Sequence, residues 1–243
     1  MSDAPSRADR IAALADQCVM CGLCQPFCPT YALDRVEAES PRGRIVLMQA
    51  VARWRLDAEA GALAHLGPCL ACRACERVCP AHVRYGELLD LTRASTRARH
   101  APPWRQRALE WMLQRRGRMT AVLALARAFR VGSATLRRLS GPVPRAARFA
   151  PQTAAQIARR GQVALFVGCL GRHFDAAAVT AATRVLQAIG FDVIVPATQQ
   201  CCGALHRHAG AGDAADTLAQ ENRAAFSAHA QNPVLTLASG CHE

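Results

Sequence analysis

The sequence predicts an α+β chain of several domains, a helix-rich N-terminal domain followed by a partial α/β domain built on a parallel sheet. Three observations predict it. Eight of the twelve cysteines form two copies of one run within the first 80 residues. Residues 99–160 are rich in Arg, with Ala and Leu at helical spacing. From Gln162 onward, short apolar runs alternate with helical periods. The reading divides the chain into 1–98, a helical domain around the cysteine runs, 99–160, an Arg-rich helical connector, and 161–243, a partial cysteine-rich domain.

Residues 1–16 hold a helical pattern, with Ile11 and Leu14 on one face, that leads into the first cysteine loop. A spacer of 40 residues separates Cys28 from Cys69, and within it Ser40-Pro41-Arg42-Gly43-Arg44 gives an N-cap with Pro at the first helical position. Ile45, Met48, Val51, Ala52 and Arg55 then recur at helical spacing. Val83 to Ala98 reads as a further helix with Leu88, Leu91 and Ala94 on one face. The connector is punctuated by Pro102-Pro103, Gly117, Gly132, Gly141-Pro142 and Pro144, as expected of short amphipathic helices with solvated arginines.

Val163–Val167 is a buried-strand run ending at Gly168, His173–Ile189 a helix closed by Gly190, and Phe191–Val195 a strand stopped by Pro196. A helix over Ala211–Ala230 and a strand over Val234–Leu237 follow. Such alternation predicts parallel strands joined by right-handed crossovers.

The duplicated runs are Cys18-x2-Cys21-x2-Cys24-x3-Cys28-Pro29 and Cys69-x2-Cys72-x2-Cys75-x3-Cys79-Pro80. This is the bacterial ferredoxin spacing for [4Fe–4S] clusters. Three thiolates three residues apart on a tight loop can reach three corners of a cube while loop amides face the sulfides. The fourth ligand comes from farther away. In two-cluster ferredoxins it serves the other cluster, which gives one set of Cys18, Cys21, Cys24 and Cys79 and a second of Cys69, Cys72, Cys75 and Cys28. Two four-cysteine zinc sites are the alternative, but zinc usually draws Cys-x2-Cys pairs from separate knuckles. Electron transfer is therefore the expected role.

Three further cysteine groups fall at the ends of the predicted strands: Cys169 after the first, Cys201-Cys202-Gly203 after the second and Cys241 after the third. In a parallel α/β sheet that edge is where sites are built. His173, His206 and His208 lie close by and read as polar surface or capping residues. No G-x-G-x-x-G phosphate loop is present, and no residue is expected to be catalytic.

These segments, with Ser40 to Ile45, Cys69-Leu70-Ala71-Cys72-Arg73-Ala74-Cys75-Glu76, Tyr85 to Asp90, Val167-Gly168-Cys169, Cys201 to His206 and Ala238 to Cys241, carry a resemblance. The chain resembles the iron–sulfur subunits of glycolate oxidase, related to cysteine-rich subunits of heterodisulfide reductase and anaerobic glycerol-3-phosphate dehydrogenase. The resemblance implies an oxidoreductase subunit with two [4Fe–4S] clusters, which takes electrons from an FAD-containing catalytic partner to an acceptor in or near the membrane. Lactate, glycerol 3-phosphate or heterodisulfide-reductase-like complexes are the alternatives it leaves open. Family members usually carry a second Cys-Cys-Gly module, and this chain stops before it, so a truncated or split protein is expected. A third cluster belongs to the paired modules; with one, Cys169, Cys201, Cys202 and Cys241 are carried over as cofactor-binding positions.

The 51% apolar content can supply a core, and aromatics are only 5%, so that core leans on Ala, Leu and Val. The formal charge of +12 would suit a nucleic-acid binder, with the clusters structural. Every one of the 30 basic residues is Arg, which points instead to a coding bias, and no nucleic-acid motif accompanies them. The first residues carry charge without an apolar run, and Met119–Phe129 is interrupted by Arg127, so neither a signal nor a membrane span is expected. A cytoplasmic protein, peripheral on the inner membrane through its partner, is the reading, with the cysteines as ligands and not disulfides.

Overall fold

Ser6 starts the first helix by a reciprocal cap: its hydroxyl accepts the Asp9 amide at 3.2 Å while the Asp9 carboxylate accepts the Ser6 amide at 3.1 Å. The computed structural model describes residues 6–53, 61–128 and 160–241. They form two units, one running to Pro102 and including Arg207–Gly212, the other holding Pro103–His206 and the chain from Asp213.

In the first unit, helices α1 (Arg7–Ala15), α3 (Pro41–Ala52) and α6 (Tyr85–Arg99) pack around one core, with α2 (Pro29–Asp34), α4 (Gly61–Leu66) and α5 (Ala74–Arg77) as short connecting turns. Ile11, Leu14, Ile45, Met48, Leu66, Val83, Leu88 and Leu89 are its buried side chains, and Cys18, Cys69, Cys75 and Cys79 pack against them. Each such aliphatic side chain contributes about 1.5–3 kcal/mol on burial. Ser40 caps α3 by accepting the Gly43 amide at 3.0 Å, with Pro41 in the first turn as expected. Gly43 has its own reason: a Cβ there would lie 2.0 Å from the Glu37 carbonyl oxygen. Arg55 lies outside the described residues.

Helix α6 begins two residues later than its periodicity suggests. Arg84 takes non-helical dihedrals (φ −76°, ψ 71°) as its N-cap, and Tyr85, Leu88, Leu89 and Thr92 form the fully buried face. Leu91 is only partly buried, one position round from the core.

The second unit starts with α7 (Trp104–Leu113) and α8 (Arg116–Ala128), which bury Glu110, Leu113 and Met119. The sequence reading of 129–159 lies outside the described residues. Strands β1 (Gly161–Phe166), β2 (Phe191–Ile194) and β3 (Val234–Thr236) form a parallel sheet in the order β2-β1-β3. Its central strand buries Val163, Ala164 and Leu165, and Leu165 and Val167 pack with Val179.

The helix expected over His173–Ile189 is α10 (Ala176–Ala188), starting three residues later, and it is preceded by a short unexpected helix, α9 (Gly168–His173). Gly168, at φ +66°, lets the chain enter α9 straight from β1, and Asp175 at φ −128°, ψ 33° interrupts the helical path. A short α11 (Ala204–His208) follows the Cys-Cys-Gly turn, and α12 (Gly212–Phe226) gives way to a 3-10 turn at Ser227–His229 where a continued helix was expected. Among the described residues no helix is long and apolar enough to cross a membrane.

Candidate metal centres

The two cysteine runs adopt the same backbone shape. Met20 and Ala71, each just before the second cysteine of its run, have φ of +58° and +53°; Gly22 and Arg73, each just after it, have +80° and +53°. Left-handed residues alternating with right-handed ones turn successive amides to one side and make an anion-binding concavity. Holding non-glycine residues there costs about 1–3 kcal/mol each, a strain found mainly at functional sites.

The runs enclose two adjacent cavities. One, of about 440 Å³, is lined by Cys18, Cys21, Cys24, Cys75 and Cys79; the other, of about 310 Å³, by Cys28, Cys69, Cys72 and Cys75. Thus Cys79 of the second run stands in the first cavity and Cys28 of the first run in the second. Cys75, Pro41 and Tyr85 belong to both walls. A single zinc ion would need its sulfurs about 3.8 Å apart around one point, from bonds of about 2.3 Å. Among the described residues no three His, Cys, Asp or Glu side chains are arranged to hold one ion. Thiols spread around a cavity walled by turned amides fit a multi-iron cluster better.

Burial pushes the Cys75 thiol up to about 12, with the negative charges of Cys69, Cys24, Cys28 and Cys72 adding to it, and burial likewise raises Cys24. Protonated thiols of this kind give up their protons when they bind metal. The phenol of Tyr85, 3.6 Å from Cys69 Sγ, is pushed well above its ordinary value, first by burial.

In the second unit the four cysteines meet at the sheet edge. Cys169 follows β1, Cys201 and Cys202 follow β2 and Cys241 follows β3; Cys201 donates to Cys169 at a sulfur–sulfur distance of 3.4 Å. Cys202 is hydrogen-bonded to both Cys201 and Cys241, and these contacts lower it to about 2. Its partners move the other way: the Cys169 and Cys202 contacts raise Cys201, and the Cys202 contact raises Cys241. The opposed shifts belong to the group as a whole, whose thiols share protons through these contacts. Gly203, at φ +89°, is obligatory on two counts, since a Cβ there would also press to 3.1 Å against the Ala215 backbone of α12.

Two positioning residues were not singled out by sequence. The buried Gln199 side chain accepts the Val167 amide at 2.7 Å and donates to the Pro196 carbonyl at 3.0 Å, clamping the end of β1 to the turn after β2. Asn222 of α12 donates to the Cys201 carbonyl at 2.8 Å and accepts the Gln200 amide at 2.8 Å. The only sequence signal was polar residues beside or facing the Cys-Cys pair. Of the histidines read as surface residues, His206 is fully buried with Nε2 3.1 Å from the Glu110 carbonyl oxygen, and His173 is 8% exposed beside Thr120. Their rings fill space between elements, which burial rewards and a local motif does not reveal.

Residues 14–83 match the family model of the 4Fe-4S dicluster domain and residues 163–243 that of the cysteine-rich domain. The first match contains both runs, and the second all four sheet-edge cysteines. The chain is 35% identical over 92% of its length to the probable glycolate oxidase iron–sulfur subunit of Bacillus subtilis. It is 31% identical over 97% of its length to the glycolate oxidase iron–sulfur subunit of Escherichia coli. The chain is thus similar to glycolate oxidase iron–sulfur subunits over most of its own length. It spans 56% and 59% of those two relatives. A weaker similarity, 25% identity over 93% of this chain and 55% of the relative, joins it to a dihydromethanophenazine:CoB–CoM heterodisulfide reductase component of Methanosarcina acetivorans. No solved structure matches.

Proposed function

We propose that this chain is the electron-transfer part of a 2-hydroxy-acid oxidising complex of the glycolate oxidase type. The observation that carries the reading is the pair of adjacent cavities, each lined by three cysteines of one run and the fourth cysteine of the other. Cys18, Cys21, Cys24 and Cys79 would hold one [4Fe–4S] cluster, and Cys28, Cys69, Cys72 and Cys75 the second. Bound there, the clusters supply one-electron storage at two neighbouring positions.

The chain's own residues supply the rest. The left-handed backbone at Met20, Gly22, Ala71 and Arg73 turns amides to the anionic groups, the wall of Pro41, Cys75 and Tyr85 keeps the two sites adjacent, and the α1–α3–α6 core excludes water behind them. Oxidation of the hydroxy acid falls to a flavin-bearing partner, and the acceptor lies in or near the membrane, with the chain on the cytoplasmic side. Support comes from the names of the two relatives, which are iron–sulfur subunits of glycolate oxidase.

The second unit favours a further reading of its own. Its four touching thiols and the similarity to the Methanosarcina acetivorans heterodisulfide reductase component support a sulfur-based cofactor site at Cys169, Cys201, Cys202 and Cys241. Anaerobic purification with the co-purifying flavoprotein, iron counting and electron paramagnetic resonance test all of this. About eight irons supports two cubanes, about twelve adds a centre at the sheet edge, and stoichiometric zinc without visible absorption rejects the proposal. Reduction of the clusters by glycolate, and not by lactate or glycerol 3-phosphate, through that flavoprotein fixes the donor.

A further inference from the structure

The two cavities differ in one buried charge. Arg44 is 1% exposed and lines the second cavity but not the first. A guanidinium is expensive to bury unless its donors are paired, and here each nitrogen has a partner. Nε donates to the His65 carbonyl at 2.8 Å, Nη2 to the Glu39 carboxylate, and Nη1 to Thr30 Oγ1 at 2.9 Å while reaching Cys28 Sγ at 3.8 Å. Glu39, whose other oxygen lies 2.8 Å from His65 Nδ1, is not part of the cavity wall, so the guanidinium stands between that carboxylate and the cysteines. Arg44 keeps its charge there, because a guanidinium does not lose its proton in proteins. The first cavity has a different neighbour. Arg42, on the same helix turn, is partly exposed, spends its Nε on Glu37 at 2.6 Å and its Nη1 on the Met20 carbonyl at 3.1 Å. The Tyr85 hydroxyl also favours the second cavity, lying 3.6 Å from Cys69.

A clasp joining α3 to the 3-10 turn Glu37–Glu39 and to α4 would need only the Glu39 and His65 contacts. The third arm donates to Thr30 at 2.9 Å in α2, and in that position it also stands 3.8 Å from Cys28 Sγ, so the clasp carries the positive charge to a cysteine of the second cavity. We propose that Arg44, acting through Cys28 and seconded by Tyr85 at Cys69, makes the site on Cys28, Cys69, Cys72 and Cys75 the higher-potential of the two. This rests on the reading of both cavities as cluster sites. The physical reason is charge: an added electron makes the thiolate-ligated group more negative, and a buried cation and hydrogen-bond donors at its sulfurs stabilise the reduced form. One electron leaves the first site, oxidising it by one, and reduces the second by one; no proton or leaving group moves. The flavoprotein partner supplies the electron. Electrons then collect at the Arg44 site, which orders the relay from the first cavity to the second.

The test is a redox titration of the anaerobic holoprotein followed by electron paramagnetic resonance, for wild type, R44Q, R44K and Y85F. Wild type is expected to show two midpoints. R44Q should lower the higher one and leave the other in place, changing the electron's partition between the sites at least about tenfold, or about 59 mV for one electron. R44K, which keeps the charge but not the fork, should shift the same centre less, and Y85F should lower it slightly. Unchanged midpoints at full iron content, a shift of the lower-potential centre, or equal shifts of both would overturn the assignment. Should R44Q lose its clusters, R44K and Y85F decide, and an unmoved higher midpoint in both rejects it. A wild-type protein without two cubane signals overturns the cluster reading itself, a result distinct from full iron with unmoved midpoints.

Discussion

The two units gather four-cysteine groups by opposite means. In the first, each run places three cysteines on one loop by local spacing, and the thiols stand apart around a cavity; in the second, cysteines from three strand ends meet sulfur to sulfur. Spacing along a tight loop prepares a surface for a bulky inorganic group. Convergence at a sheet edge instead brings thiols close enough to share protons, which is why Cys202 is lowered while Cys201 and Cys241 are raised. The same residue type thus meets different surroundings according to whether sequence or topology assembles it.

The comparison breaks most readily at the fourth ligands. C79A is expected to lose the iron of the first cavity and C28A that of the second, each falling from about eight irons to about four. C202A should leave that iron in place. Iron counting with visible absorption checks this, and loss of the first unit's iron in C202A would erase the distinction between the groups.

Next in size are changes to the scaffold behind the cavities. L88A should cost about 2–5 kcal/mol of stability in denaturant unfolding, because Leu88 is fully buried among α1 and α3 residues. G43A should also be severe, since its Cβ would meet the Glu37 carbonyl at 2.0 Å and backbone cannot swing away as a flexible side chain does. In the second unit, G203A adds a strained φ of +89° to a 3.1 Å contact with Ala215, for roughly 1–3 kcal/mol. A destabilised G203A with unchanged cluster absorption would sharpen the separation of the two centres.

Thiol reactivity should separate the groups more gently. In the metal-free protein at pH 8, alkylation mapped by mass spectrometry should label Cys202 well before Cys75. Contacts with Cys201 and Cys241 lower Cys202 and favour its thiolate, whereas burial raises Cys75 to about 12. The sign for Cys75 follows: its contribution to stability is present below the ordinary value of 9.0 and is lost as pH rises from there through about 12. Labelling of Cys75 should rise over that window. The smallest effect is expected at the exposed pair of Arg53 with Asp16, 2.7 Å apart, where D16N should change stability by less than about 1 kcal/mol.

Much of this architecture was legible in advance, for identifiable reasons. The runs announce themselves because loop ligation needs fixed spacing, and the Ser40 cap and the strands of the sheet because caps and periodicity act within a few residues. The short α9 and the start of α10 at Ala176 instead of His173 were not legible, because the non-helical dihedrals at Asp175 leave no mark in the local pattern. Nor was the burial of His206 or Arg44, because the partners that compensate it come largely from distant segments, Glu110 in one case and His65 with Thr30 in the other, and only Glu39 is near Arg44 in the chain.

By itself the sequence determined that two four-cysteine runs exist, that helices flank them and that a parallel sheet with cysteines at its strand ends follows, because each depends on neighbours in the chain. The crossed placement of Cys28 and Cys79 was expected from the ferredoxin spacing, and packing brings each to the other run's cavity; only the tertiary structure decided that four thiols touch at the sheet edge and that Arg44 is buried beside one cavity alone. Those outcomes depend on which distant segments pack together, and that choice is made by the shared core and the pairing of buried charge, which no local pattern records.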